Sequence, residues 1–252
     1  GRTLLVRAEQ GLGDAIQFCR FAPLVQGGSV ALEVHRPLGR LLASMTGVVP
    51  LVRMGDQLPA FDLYVPLLDL PRLLGSSGAP VPYLSAEPDR VAMWRGRVGH
   101  DGLRIGVAWQ GNPASAAEHG RSYPVAELRA LAGVPGIRLI SLQRHHGLEQ
   151  LAALPHGLRI ETLGDDLDAG SDAFIDTAAV MQCLDLVITS DTSVAHLAGA
   201  LGRPVWVALQ HVPDWRWLLD REDCPWYPTM RLFRQSRRGD WAGVFSRMAA
   251  LL

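Results

Sequence analysis

Lysine is missing from this chain: all 24 basic residues are arginine, set against 25 Asp and Glu for a formal charge of −1. Any cationic side chain that meets a phosphate or carboxylate must therefore be a guanidinium, whose planar fork offers two parallel hydrogen bonds where an ammonium offers a point charge. The even balance excludes the basic excess that marks a nucleic-acid groove or an anionic membrane surface. Cysteine is scarce as well. Cys19, Cys183 and Cys224 are widely separated and odd in number, which excludes a disulfide framework or a zinc knuckle and fits a reducing compartment. No His, Cys or carboxylate spacing matches a metal site. No stretch reaches the roughly 18 apolar residues that read as a spanning helix, and the opening GRTLLVRAEQGLGDAIQF lacks the apolar centre of a signal peptide. The expected location is the cytoplasm, with a peripheral position on the inner membrane as a variant. The chain opens without Met on a strand-like run, as a piece of something longer would.

Disorder is excluded by what is present: 48% hydrophobic residues and only 19% charged, with 26 Gly and 17 Pro to make turns. Residues 3–6 read as a strand, followed by a glycine turn and an apolar helical stripe through Ala15, Ile16, Phe18, Cys19, Phe21 and Ala22. Further strands are expected at 30–34, 48–52 and 62–65, with helices at 37–45 and 67–74. The segment GSSGAPVPYLSAEP (75–88) is the clearest boundary, because its prolines bias their predecessors toward extended backbone. A helix at 89–98 then leads into a second alternation. Strands are expected at 104–109, 138–142, 158–161, 186–188 and 204–208, and helices at 124–131, 148–154, 174–183, 193–200 and 241–252. Such alternation predicts an α/β fold with mainly parallel sheets covered on both faces. Two blocks of it predict two Rossmann-like domains facing across a cleft: 1–85, 86–240, and a final helix at 241–252 that either caps the second domain or crosses back to the first.

Open α/β sheets bind ligands beyond the carboxyl ends of their strands, and three loops there carry candidates. After the first strand, Gln10, Gly11, Gly13 and Asp14 form a glycine turn. Asp14 reads either as an acid in the first helical turn, favoured by free N–H groups, or as a carboxylate able to take a proton from an attacking hydroxyl. Ile16 stands where a dinucleotide fingerprint needs its third glycine. After the strand at 104–109, Gln110 and Asn112 begin a polar loop that ends near Arg121 and Ser122. Arg121 is either a solvent charge or a contact to a donor phosphate, and Ser122 is a helix-cap candidate. The third loop is the most informative: an apolar strand ends in Ser190, Asp191, Thr192 and Ser193, which open a helix whose unpaired N–H groups suit an anion. His196, one turn inside, is either structural or a ligand contact. A tryptophan-rich stretch, 211–235, supplies either a satellite core or cleft residues, with His211, Trp215 and Arg216 as candidates. A Ser-His-Asp hydrolase built from Ser190, His196 and Asp14 is excluded, since G-x-S-x-G is absent and the chain order is wrong.

AEQGLGDAIQFCRFAPL (8–24), VPLLDLP (65–71), VPYL (81–84), IGVAWQGNP (105–113), RSYP (121–124), ISLQ (140–143), DTAAVMQCLDLVITSDTSVAHLAGALGRPVWVAL (176–209) and DWRWLL (214–219) together resemble glycosyltransferase family 9, the heptosyltransferase-like family. The form most resembled is the carboxyl-terminal catalytic portion of tetratricopeptide-repeat proteins. The resemblance implies a GT-B fold and an inverting, metal-independent transfer of sugar from a nucleotide diphosphate to a hydroxyl. No cofactor would be held permanently. The donor would be ADP-, UDP-, GDP- or dTDP-linked, and the acceptor a glycan, a lipid-linked saccharide or a protein, with an upstream tetratricopeptide-repeat region as a partner. Asp14 matches the family's base. Gln110, Asn112, Arg121, Ser190, Asp191, Thr192, Ser193 and His196 match or adjoin its donor site, while Gln10, Gly11, Gly13, Gln17, His211, Trp215 and Arg216 are acceptor or cleft candidates. Where the family's heptosyltransferases carry a lysine in the loop after the W-x-G strand, this chain has Gln110 there, with Arg121 as a replacement cation. A sugar-nucleotide epimerase or hydrolase, and a non-catalytic sugar-nucleotide or glycan-binding module, are the alternative functions.

Overall fold

The computed structural model describes residues 1–47, 49–75 and 78–252. In the first half, β1 (Arg2–Arg7), β2 (Gly28–Val34), β3 (Leu51–Arg53) and β4 (Leu63–Pro66) form a parallel sheet ordered β3-β2-β1-β4. Val6 is the pivot of its register, opposite Leu32 on one side and Val65 on the other. Helices α1 (Leu12–Phe18) and α2 (Gly39–Leu42) lie between strands and α3 (Leu70–Leu73) follows β4, α1 running on into a 3-10 turn, Cys19–Leu24. Helix α4 (Pro88–Val98) opens with its proline in the first turn, where no N–H is needed.

The second sheet contains β5 (Leu103–Ala108), β6 (Ile137–Ser141), β7 (Leu186–Ser190), β8 (Val205–Leu209) and β9 (Met230–Arg234), all parallel and ordered β6-β5-β7-β8-β9. Its helices are α5 (Arg129–Ala132), α6 (Ile175–Met181), α7 (Ser193–Ala200) and α8 (Trp241–Ala249). The central strand β7 is buried at every position, as an apolar run covered on both faces requires. In each sheet the chain goes first to one side of its opening strand and then to the other, which leaves a crevice beside β1 and a second beside β5.

The two halves share one hydrophobic cluster, in which Val6, Ile16 and Phe18 join Leu197, Trp217, Trp226 and Tyr227. Helix α1 packs on α7. A Cβ on Gly13 would lie 3.0 Å from His196 Cδ2 and 3.3 Å from the Ser193 Cα, so glycine is what lets the two helices approach. The boundary segment 75–88 is bound into this seam: the Tyr83 N–H donates to Ala200 O at 3.0 Å, and the Tyr83 hydroxyl donates to Ile16 O at 2.8 Å. Ser76 and Ser77 of that segment, and Val48 of the strand expected at 48–52, lie outside the described residues.

Helix α4 joins the second half through Asp176 of α6, whose Oδ1 accepts from Arg90 Nη1 at 2.7 Å and from Trp94 Nε1 at 2.8 Å. Helix α8 packs within the second half. Phe245 packs on Tyr123, ring centroids 4.7 Å apart, within the core of the second half. Three expectations need correction. Residues 158–161 make a single bridge, Ile140 to Glu161, because the chain touches β6 at that one point and leaves. Helices expected at 37–45, 67–74, 124–131 and 148–154 are instead short 3-10 turns, most followed by one α-turn. The stretch read wholly as a tryptophan-rich excursion contains β9, the edge strand of the second sheet.

Candidate functional site

Asp14 occupies the third position of α1, and its Oδ2 accepts from the Gly11 N–H at 2.9 Å. Its Oδ1 accepts from Arg216 Nη2 at 2.6 Å. The side chain thus completes the first helical turn, as the first expectation has it, and its pairing with Arg216 links the two halves. Glu9 ties the same loop to the end of β4 by accepting from the Leu67 N–H at 3.1 Å.

Beyond β5, the indole of fully buried Trp109 donates to Gly147 O at 3.1 Å. Gln143, just past β6, holds two loops together. Its Oε1 accepts from the Trp109 and Gln110 N–H groups at 2.9 and 3.0 Å, and its Nε2 donates to Gln110 O and His146 O, both at 2.7 Å. Asn112 turns the chain by accepting from the Ala114 N–H at 3.0 Å. Ser122 caps no helix: it accepts from the Gly111 N–H at 3.1 Å and donates to Glu118.

Thr192 takes the cap position of α7 in extended backbone, and among the described residues no side chain closes that end. Its first N–H groups therefore remain available to an anion. Ser190 is fully buried and Asp191 nearly so. Burial holds the Asp191 carboxyl above the usual carboxylate range, opposed by the nearby Arg121 charge, whose Nε lies 4.0 Å from Oδ2. The ring of His196 stacks on Trp217 at 5.4 Å and shares a 3.2 Å hydrogen bond with the Tyr227 hydroxyl. Burial, reinforced by the charges of Arg216, Arg121 and Arg20, holds it well below the ordinary histidine value. The ring is therefore neutral near pH 7.

A cavity of about 580 Å³ opens between the halves. Leu12 and Pro37 line it from the first half, and Gln110, Asn112, Thr192 and Ser193 from the second. These four are the sequence-derived donor candidates that the structure brings together. Ser190, Asp191, Arg121 and His196 lie outside its lining, as do Gln10, Gly11, Gly13, Asp14 and Gln17. His211 faces a smaller cavity of about 250 Å³, and Trp215 is 61% exposed. Sequence reasoning missed the opposite wall: Gln143 to His146 after β6, and the loop 168–174 before α6. The first was within reach, since it follows a parallel strand adjacent to β5. The second depends on Asp168, which sits at φ 47° and accepts from the Asp176 N–H at 2.6 Å and the Thr177 hydroxyl at 2.5 Å, a fold-back with no sequence signature. Among the described residues no group of His, Cys, Asp and Glu side chains could hold a metal ion, and no helix is long and apolar enough to cross a membrane.

Two parallel-sheet domains facing a cleft define a GT-B-like fold, matched by solved heptosyltransferase structures. E. coli ADP-heptose LPS heptosyltransferase II superimposes with a TM-score of 0.63 at 13% identity, covering 99% of this chain and 98% of that one. The glycosyltransferase family 9 structure from Veillonella parvula gives 0.65 at 12% identity, over 93% and 86% of the two chains. In sequence, residues 118–209 match glycosyltransferase family 9 (heptosyltransferase), a segment that includes β7, α7 and β8. The Caulobacter vibrioides protein FlbA is 27% identical over an alignment covering all of this chain and 46% of FlbA. The chain thus spans about half the length of that curated relative.

Proposed function

We propose that this chain is the catalytic portion of an inverting glycosyltransferase that needs no metal and takes its donor as a nucleotide-diphosphate sugar. The observation that carries this reading is the cavity between the halves, with the uncapped end of α7 at Thr192 and Ser193 in its wall. The donor's diphosphate sits against those N–H groups, and Gln110 and Asn112 contact the nucleotide or sugar. Arg121 and Asp191 support the turn from behind, with Arg121 as the nearest replacement for an absent lysine. The acceptor approaches from the first half. Its oxygen forms a bond to the anomeric carbon while the bond from that carbon to the phosphate oxygen breaks. Asp14 takes the hydroxyl proton, and the nucleoside diphosphate leaves with the electron pair, its growing charge stabilised by oriented amide dipoles. Solved relatives support the donor class: one E. coli heptosyltransferase structure contains ADP-2-deoxy-2-fluoro heptose. The acceptor is a glycan, a lipid-linked saccharide or a protein, and the rest of a longer protein is where its recognition would be completed.

The test is turnover of ADP-, UDP-, GDP- and dTDP-linked sugars against an acceptor panel, followed by release of the nucleoside diphosphate. One donor class is expected to turn over, and Asp14→Asn is expected to lower that rate by about 10²-fold or more while nucleotide binding persists. Full turnover by Asp14→Asn would remove Asp14 from the chemistry.

A further inference from the structure

Arg216 is 7% exposed and crosses from the second half to the first. Its Nη2 donates to Asp14 Oδ1 at 2.6 Å, and its Nη1 lies 3.1 Å from Asp214 Oδ1. Its Nε is buried without a hydrogen-bond partner. A guanidinium presents its best edge for a phosphate as Nε together with one Nη, which bind two oxygens at once. Asp14 thus uses half of that edge and leaves the other half, Nε, without a partner. The charge of Arg216 is also felt at Asp191 and at His196, on either side of the uncapped end of α7.

The backbone that carries Arg216 is held in place. Trp226 Nε1 donates to Arg216 O at 2.7 Å, Arg234 Nη2 donates to Leu218 O at 2.7 Å, and Asp214 Oδ1 accepts from the Arg216 N–H at 3.1 Å. Leu218 is fixed at φ 53°, ψ −167°, a conformation that persists in a non-glycine residue only when its surroundings enforce it. The guanidinium lies between the rings of Phe18 at 5.9 Å and Trp215 at 5.3 Å.

We infer that Arg216 is a positioning residue that couples the two substrates: it holds Asp14 until the donor's phosphates engage its unpaired Nε and the adjoining Nη2, and its departure then frees Asp14 Oδ1 for the acceptor hydroxyl. This rests on the donor reading given above. The order of events matters chemically, because a base released only when donor is bound has a sugar to deliver the acceptor to. The swing breaks and forms hydrogen bonds alone and moves no proton between Arg216 and Asp14.

The two residues compete in this scheme, so their substitutions act in opposite directions on binding. The experiment is calorimetric titration of the protein with ADP, UDP, GDP and dTDP, then with the tightest of these against Asp14→Asn, Arg216→Met, Arg216→Lys and the Asp14→Asn/Arg216→Met pair. Arg216→Met is expected to weaken nucleotide binding about tenfold to a hundredfold, the scale of a lost charge-assisted hydrogen bond. Arg216→Lys, which keeps the charge and lacks the edge, should also weaken it and serves if the Met variant fails to fold. Asp14→Asn is expected to tighten binding severalfold, and to have no effect once Arg216 is Met. A structural role at the seam alone would leave Asp14→Asn neutral or weakening, and that result overturns the coupling while leaving the donor site intact. Failure of the unsubstituted protein to bind any of the four overturns the donor reading and the coupling together.

Discussion

At His196, burial and three nearby guanidiniums act in the same direction, keeping the ring neutral in the folded protein. The unfolded chain binds a proton near pH 6.5 and the folded chain does so only well below it, so acid favours unfolding. The stability tied to this ring is complete above pH 6.5 and is lost as the pH falls from there toward the folded value. Denaturant midpoints measured from about pH 7.5 to about pH 5.5 should fall more steeply for the unsubstituted protein than for His196→Gln. Equal slopes would mean that the ring takes up its proton as readily in the folded protein as in the unfolded chain. Gly13 presents a steric case instead. Gly13→Ala puts a Cβ against the His196 ring and the Ser193 backbone, and should cost about 1–3 kcal/mol of stability in the same assay, in keeping with overpacking of a close contact.

Among the elements, α4 and α6 are fastened by a buried carboxylate. Asp176→Ala removes the acceptor for Arg90, Trp94 Nε1 and the Asp168 N–H and unties the loop that forms one wall of the cavity. A loss of about 2–3 kcal/mol is expected, moderated because Arg90 can reach water; a loss under about 1 kcal/mol would show that the clamp is dispensable. Elements of this kind also mark the limit of sequence reading. The β7–α7 turn was legible, because four small polar residues interrupt two apolar runs and leave few other structures open. Helices such as α2 and α5 were legible in place but not in length, each being a 3-10 turn followed by a single α-turn. The strand β9 was hidden by the tryptophans around it, which signalled a core without a period. The ion pair of Asp14 with Arg216 joins residues 202 positions apart, and no local pattern encodes that distance.

For the whole molecule, the shared hydrophobic cluster implies that the halves stabilise one another. A thermal scan should show a single cooperative transition, since α1 and α7 lose a common core when either half unfolds. Two resolved transitions would separate the halves energetically and make the seam a weak contact. The fold-level expectation of two parallel sheets about a cleft was available from the strand–helix alternation alone. The closeness of the halves was not, because it depends on Gly13, Tyr83 and Arg20 meeting partners from the other half.

In the proposed function, the open end of α7 receives the donor's phosphates. Ser193→Asp puts a carboxylate at the first position of that helix, where it complements the dipole by about 0.3–1 kcal/mol and should leave the melting temperature unchanged or slightly raised. The same charge stands in the cavity wall against an incoming diphosphate. Nucleotide-sugar affinity measured by calorimetry should fall by about tenfold or more in the folded variant. Undiminished affinity in a folded Ser193→Asp protein would mean that the phosphates are bound elsewhere.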